Sequence, residues 1–173
     1  MTDSETKVVL VVDDEEDIRQ YLAAALLDAG FEVITAEDGF AALEQVKKRR
    51  PDLISLDLVM PKKSGAGFYR ELTRNKEWAG IPVLIVTGHA RDEMGQADLK
   101  ELTMSGPGIY LEKPVKPENY IAAVKKLLKM ESSEDEQKAA NQVELQSELK
   151  NLIDEADVED LKKIRELIRK QKK

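Results

Sequence analysis

The chain has no cysteine and a single histidine among its 173 residues. The first absence excludes a disulfide framework, a thiolate metal site and a cysteine nucleophile, and fits a reducing compartment. The second leaves His89 as a poor basis for a metal centre or a phosphodonor, since it has no histidine partner. Basic excess is also missing. A formal charge of -7 argues against broad, nonspecific binding to nucleic acid or anionic membrane, both of which reward a basic surface. No apolar run approaches the roughly 18–20 residues that cross a bilayer, and Met1 to Lys7 lacks the basic start and apolar stretch of a signal peptide. The expectation is a cytoplasmic protein with no membrane partner. What is present is 42% hydrophobic and 35% charged, enough for one domain of ordinary size with a solvated surface and some chain left over.

Over residues 1–130 short β-branched runs alternate with helical patterns. Val8-Val9-Leu10-Val11-Val12 is five apolar residues in a row, the mark of a strand buried on both faces. Ile18, Tyr21, Leu22, Ala25, Leu26 and Ala29 recur at helical spacing, and Gly30 stands where a C-terminal glycine belongs. Phe31 to Ala36 predicts a second strand, and Asp38 an N-cap for the helix carrying Ala41, Ala42, Leu43 and Val46. Leu53 to Leu56 runs as a third strand into Asp57, and Phe68 and Leu72 mark a third helix. Pro82 to Val86 is a fourth strand before Thr87, Ile109 to Leu111 a fifth, and Tyr120, Ile121, Val124, Leu127 and Leu128 a closing helix. Such alternation predicts an α/β fold, a doubly wound five-stranded parallel sheet with helices on both faces. The flavodoxin-like order 2-1-3-4-5 suits five strands best, and it places functional groups beyond the carboxyl ends of the strands.

Ionisable residues at the ends of buried strands need a reason. Asp13 and Asp14 follow the first strand, Asp57 the third, Thr87 the fourth and Lys113 the fifth. In the expected order the first and third strands are neighbours, so three carboxylates share one crevice and repel unless a divalent cation joins them. Oxygen-only ligands suit a hard ion such as Mg2+. Each residue also has a plainer reading: Asp13 and Asp14 as caps of the first helix, Asp57 as a turn residue, Thr87 as a β-former, Tyr110 as core.

The segments VVLVVDDEEDIR, DLISLDLVMPKKSG, VLIVTGHA and YLEKP, in this order and on these strands, resemble the receiver domain of bacterial response regulators over about residues 5–130. The resemblance implies a phosphoprotein of two-component phosphorelay signalling rather than an enzyme. Asp57 would accept a phosphoryl group from a sensor histidine kinase or phosphotransfer protein. Asp13, Asp14, Asp57 and the backbone carbonyl of Val59 would hold Mg2+, while Lys113 and the Thr87 hydroxyl would bind phosphoryl oxygens. Thr87 and Tyr110 would form the switch, the ring turning inward on activation and altering the face made by the helix before the fifth strand, that strand and the helix after it. Lys113-Pro114 matches a bond that is cis in the family. Val59 and His89 occupy the positions that tune dephosphorylation, and an apolar Val59 cannot orient an attacking water. The expectation is an aspartyl phosphate lasting minutes or more.

One departure is the Thr87-to-Lys113 segment, a few residues longer than the family leads one to expect. Its stretch 91–108 holds Gly95, Gly106, Pro107 and Gly108 and only a broken apolar stripe, so a helix there is weakly specified. Another is the tail. Residues 131–137, ESSEDEQ, read as an acidic linker, and 138–173 as a helical extension, either one bent helix or a hairpin. Leu145, Leu149, Leu152 and Ala156 keep 4-3-4 spacing; Leu161, Ile164, Leu167 and Ile168 continue in shifted phase, with Asp157 a possible N-cap. Two short stripes cannot form a core alone, so they pack on the receiver, on a second copy or on a partner.

The favoured output is contact with a downstream protein partner, with a homodimer through the tail as one form of it. A nucleic-acid-binding tail is the alternative. The basic end, Lys162 to Lys173, reads more simply as cations at a helix C-terminus, without aromatics or a second element to read a groove. A haloacid-dehalogenase-type phosphatase wants an acid two residues after the nucleophile, where this chain has Val59. A flavodoxin wants a phosphate-cradling loop where this chain has DDEED.

Overall fold

The computed structural model describes residues 5–60, 62–88 and 110–171. His89 and the 91–108 stretch lie outside the described residues. Five parallel strands, β1 (Val8–Val12), β2 (Glu32–Ala36), β3 (Leu53–Leu56), β4 (Val83–Thr87) and β5 (Tyr110–Glu112), stand in the order β2-β1-β3-β4-β5. Helices α1 (Glu16–Asp28), α2 (Gly39–Lys48), α3 (Gly65–Arg74) and α4 (Pro117–Leu127) flank them, and α5 (Glu134–Glu155) and α6 (Val158–Gln171) follow. The expected sheet order is the observed one.

Side chains alternate across a strand, so a strand buried on both faces feeds two cores. Leu10, Val12, Ile54, Leu56 and Ile85 pack under α2 and α3 with Phe68 and Leu72. Val9, Val11, Leu53, Leu84 and Val86 pack under α1 and α4 with Leu22, Leu26, Tyr120 and Val124. Local signals set the element ends. Asp38 caps α2, its Oδ1 accepting from the Ala41 N–H at 2.8 Å. After α1 the chain turns at Gly30, at φ 89°, where a side chain would be strained.

The tail differs from its sequence reading at its start. Helix α5 begins at Glu134, inside the stretch read as linker, because Ser133 and Glu136 form a reciprocal capping box. The Ser133 Oγ accepts from the Glu136 N–H at 3.2 Å, and Glu136 Oε2 accepts from the Ser133 N–H at 2.8 Å. The S-x-x-E pattern was visible in the sequence, but its acidic surroundings favoured the linker reading.

A break at Ala156, with extended backbone, separates α5 from α6. Asp157 then caps α6 as expected, its Oδ1 accepting from the Asp160 N–H at 2.9 Å. Helix α5 packs on α4 and β5, burying Ala140, Val143 and Ser147. Helix α6 makes no substantial contact with another described element, so the two do not form a packed hairpin.

Candidate functional site

The site lies at the carboxyl edge of the sheet, where the backbone ladder runs just past the strands. The Asp13 N–H donates to the Ala36 carbonyl at 3.1 Å and the Asp57 N–H to that of Val12 at 3.0 Å. Both aspartates are therefore held by main chain and both are buried, while Asp14 is exposed at the mouth. Carboxylate oxygens of Asp13, Asp14 and Asp57 lie within 4.8 Å of one another. The N-cap of α1 is Glu15, with no side-chain cap of its own; Asp13 Oδ1 accepts from the Glu15 N–H at 3.0 Å, so one oxygen supports the helix start while Oδ2 faces Lys113.

Lys113 enters this crevice from the end of β5. Its Nζ is 2.6 Å from Asp13 Oδ2 and 3.3 Å from Asp57 Oδ2. The Lys113 N–H bonds the Thr87 carbonyl at 3.1 Å, which fixes the lysine backbone against the end of β4, and the Lys113-Pro114 bond is cis. Thr87 is fully buried.

The electrostatics follow from this crowding. Burial raises the Asp13 carboxyl above its usual range, and the Lys113 hydrogen bond and charge only partly offset it. Burial pushes the Lys113 ammonium the other way. Its hydrogen bonds and attraction to Asp13 and Asp57 together outweigh that, leaving its pKa above the ordinary lysine value.

Two contributors were not singled out in the sequence. Glu15 adds a third acid to Lys113, at 3.3 Å. Gly65 lies so close to the end of β3 that a Cβ there would sit 1.8 Å from the Asp57 carbonyl oxygen. It closes a sequence segment already tied to Asp57, but only the fold shows the collision.

Val59 is half-buried, and its N–H points at Asp57 Oδ1 at a long 3.4 Å. Tyr110 is buried in the core under α2 and α3, so the ring already lies inside the fold in this conformation. Its carbonyl accepts from the Ser147 hydroxyl at 3.0 Å, and Lys150 pairs with Glu112. No sequence signal marked Ser147, Lys150 or Glu112.

A profile of the response regulator receiver domain matches residues 9–125. The chain belongs to the response regulator receiver family. It is 34% identical over 123 residues to the phosphate regulon transcriptional regulatory protein PhoB of Pseudomonas aeruginosa, covering 71% of this chain and 52% of the relative. It is 38% identical over 123 residues to the alkaline phosphatase synthesis transcriptional regulatory protein PhoP of Bacillus subtilis, covering 71% and 49%. Among solved structures it resembles the chemotaxis protein CheY4 of Vibrio cholerae, at 33% identity and a TM-score of 0.63, covering 70% of this chain and 98% of that one.

The chain thus spans about half the length of the curated relatives it matches. Those relatives are named as transcriptional regulators, so the expectation against nucleic acid draws no support from them. No described helix of this receiver protein is long and apolar enough to cross a membrane.

Proposed function

We propose that this receiver is phosphorylated on Asp57 by a histidine kinase or phosphotransfer protein and signals through contacts made by its carboxyl-terminal helices. The observation that carries this is the buried Asp57 carboxylate with the Lys113 Nζ at 3.3 Å and two more carboxylates within 4.8 Å. An Asp57 oxygen attacks phosphorus in line, a P–O bond forms as the P–N bond to the donor imidazole breaks, and the imidazole leaves. Such a transfer is catalysed by positioning and charge neutralisation. Lys113 releases Asp13 and Asp57 and pairs with phosphoryl oxygens, and the Thr87 hydroxyl donates to one of them. The Thr87–Lys113 backbone bond keeps the two groups in step.

The donor set fits a divalent ion. Three carboxylates offer hard oxygens, and ligands of an octahedral ion at about 2.1 Å stand roughly 3–4 Å apart, a spacing that small side-chain shifts reach. Asp13, Asp14, Asp57 and the Val59 carbonyl would hold Mg2+, which supplies positive charge to the transferring group. Val59 cannot orient a hydrolytic water, so the phosphoryl group persists for minutes or more. Decay within seconds in the purified protein would overturn that lifetime.

The test is intact-mass analysis after incubation with Mg2+ and phosphoramidate. One phosphoryl group should add to the wild type and none to Asp57→Asn; uptake by the variant would overturn the assignment. A second reading, a tail that binds nucleic acid, has the relatives' names in its favour and seven basic residues among the last 13 of the chain. Salt-sensitive binding of duplex DNA would support it, and no binding at low salt would exclude it.

A further inference from the structure

Helix α5 has two apolar faces. Ala140, Val143 and Ser147 are buried against the receiver. At 3.6 residues per turn, Leu145, Leu149 and Leu152 fall away from that face; they are 57%, 48% and 60% exposed, and Leu149 also stands at the rim of the groove that α5 forms with β5. Helix α6 repeats the situation with Leu161, Ile164 and Ile168, of which Ile168 is 54% exposed. Each trio keeps the alternating four- and three-residue spacing that places side chains along a helix–helix seam. Leucine and isoleucine exposed in series on neighbouring helices mark an interaction surface rather than scattered surface apolars.

The charges beside the seams select the occupant. If Leu161 and Ile168 take one seam position and Ile164 the other, Asp160 and Arg165 flank the seam on opposite sides, five residues apart. In a parallel pair of identical helices, that offset sets Asp160 of each copy against Arg165 of the other. The same assignment on α5 puts Glu148 and Ile153 at the flanks. A parallel pair sets Glu148 beside Ile153 of the other copy, whereas an antiparallel pair sets it against the same flank, where it repels Glu148 in the registers that bring the two together. Both helices therefore favour the same arrangement. Asp160 already meets Lys163 of its own helix at 3.6 Å, and a second copy adds Arg165 to it, whereas an anionic membrane surface would accept the apolar face but repel Asp160 and Glu148.

We propose that a second copy of this chain pairs in parallel through α5 and α6, using the seams Leu145-Leu149-Leu152 and Leu161-Ile164-Ile168, with reciprocal Asp160–Arg165 ion pairs. Symmetry makes every contact occur twice. The receivers then lie outside the pair, each held by the buried face of its own α5. This rests on the tail being the element that makes protein contacts, and it deepens that reading by naming the partner.

The test uses the full chain and three variants. Wild type should show a dimer mass by light scattering at about 100 μM or below, and Leu149→Asp with Leu161→Asp should be monomeric. Asp160→Arg and Arg165→Asp each place like charges across the seam and should weaken the dimer roughly tenfold. Mixing the two should restore a heterodimer, because every cross-seam pair is then opposite in sign. A monomeric wild type would overturn the proposal. So would charge variants that weaken association without recovery on mixing, or binding to anionic phosphatidylglycerol vesicles in place of self-association. Phosphoryl uptake, measured on the leucine variant, separates the two readings: uptake retained while pairing fails indicts only the dimer, whereas uptake absent from every form indicts the Asp57 assignment.

Discussion

The Ser147 hydroxyl is 3.0 Å from the Tyr110 carbonyl, which ties a helix outside the receiver sheet to the strand that runs into Lys113. The same hydroxyl reaches the Val143 carbonyl of its own helix, also at 3.0 Å, so one proton is shared between two acceptors. Lys150, one turn on, pairs with Glu112, the residue next to Lys113. Any shift of β5 that accompanies a change at Lys113 is therefore felt directly by α5.

Ser147→Ala should loosen that tie. Losing a buried hydrogen bond costs about 1 kcal/mol, while alanine returns a few tenths through helix propensity. The expected net loss is about 0.5–1 kcal/mol. Hydrogen exchange should show faster opening in α5 than in β1, and unchanged α5 protection would count against the contact.

Gly65→Ala should be far more costly than an ordinary change at a helix start. The new Cβ meets main chain at Asp57, which cannot swing aside as a side chain can. A stability loss of about 1–3 kcal/mol or more is expected from the overpacking, together with slower phosphoryl uptake, because the shift falls on Asp57, the proposed acceptor. Thermal unfolding and uptake rate should both change.

Lys113→Met removes the one ammonium that lies between Asp13 and Asp57 among the described residues. Breaking a buried pair costs about 3 kcal/mol or more, though Asp13, already raised by burial, can relieve part of this by taking up a proton. The metal-free variant should unfold at a lower temperature than wild type. Mg2+ should raise its Tm more than that of wild type, since the ion then has no resident cation to displace. Equal Mg2+ effects on the two would argue against a shared crevice.

Acid should loosen the start of α5. The Lys125 hydrogen bond, then that from the Ser133 N–H, hold the Glu136 carboxyl below its ordinary value of 4.5. The stabilisation from ionised Glu136 is present above that value and is lost as pH falls through its lowered folded value. Proteolytic protection at 131–137 should drop in that acidic window, and Glu136→Gln should remove the step. A variant that kept the same acid transition would assign it to another group.

Much of this was legible in the sequence because its cause is local or periodic. A run such as Val8 to Val12 can be satisfied only by burial on both faces, and five strand patterns alternating with helical ones leave few sheet orders. The polar residues that follow those runs, Asp13, Asp57, Thr87 and Lys113, are then delivered to one edge by chain direction alone. Gly30, Asp38 and Asp157 act through neighbours a few residues away, so their roles could be read directly.

Tertiary structure decided what depends on distant approach. That Gly65 abuts the Asp57 carbonyl, that Glu15 joins Lys113, and that α5 buries its small-residue face on β5 and α4 are consequences of elements meeting in space. The tail shows the division most clearly. Its sequence determined two apolar stripes and the caps that frame them, because helix periodicity and capping are short-range. Which face of α5 the receiver covers was a matter of fit: it takes neither stripe but Ala140, Val143 and Ser147, which allow close approach to the sheet edge, and leaves Leu145 and Leu152 facing water.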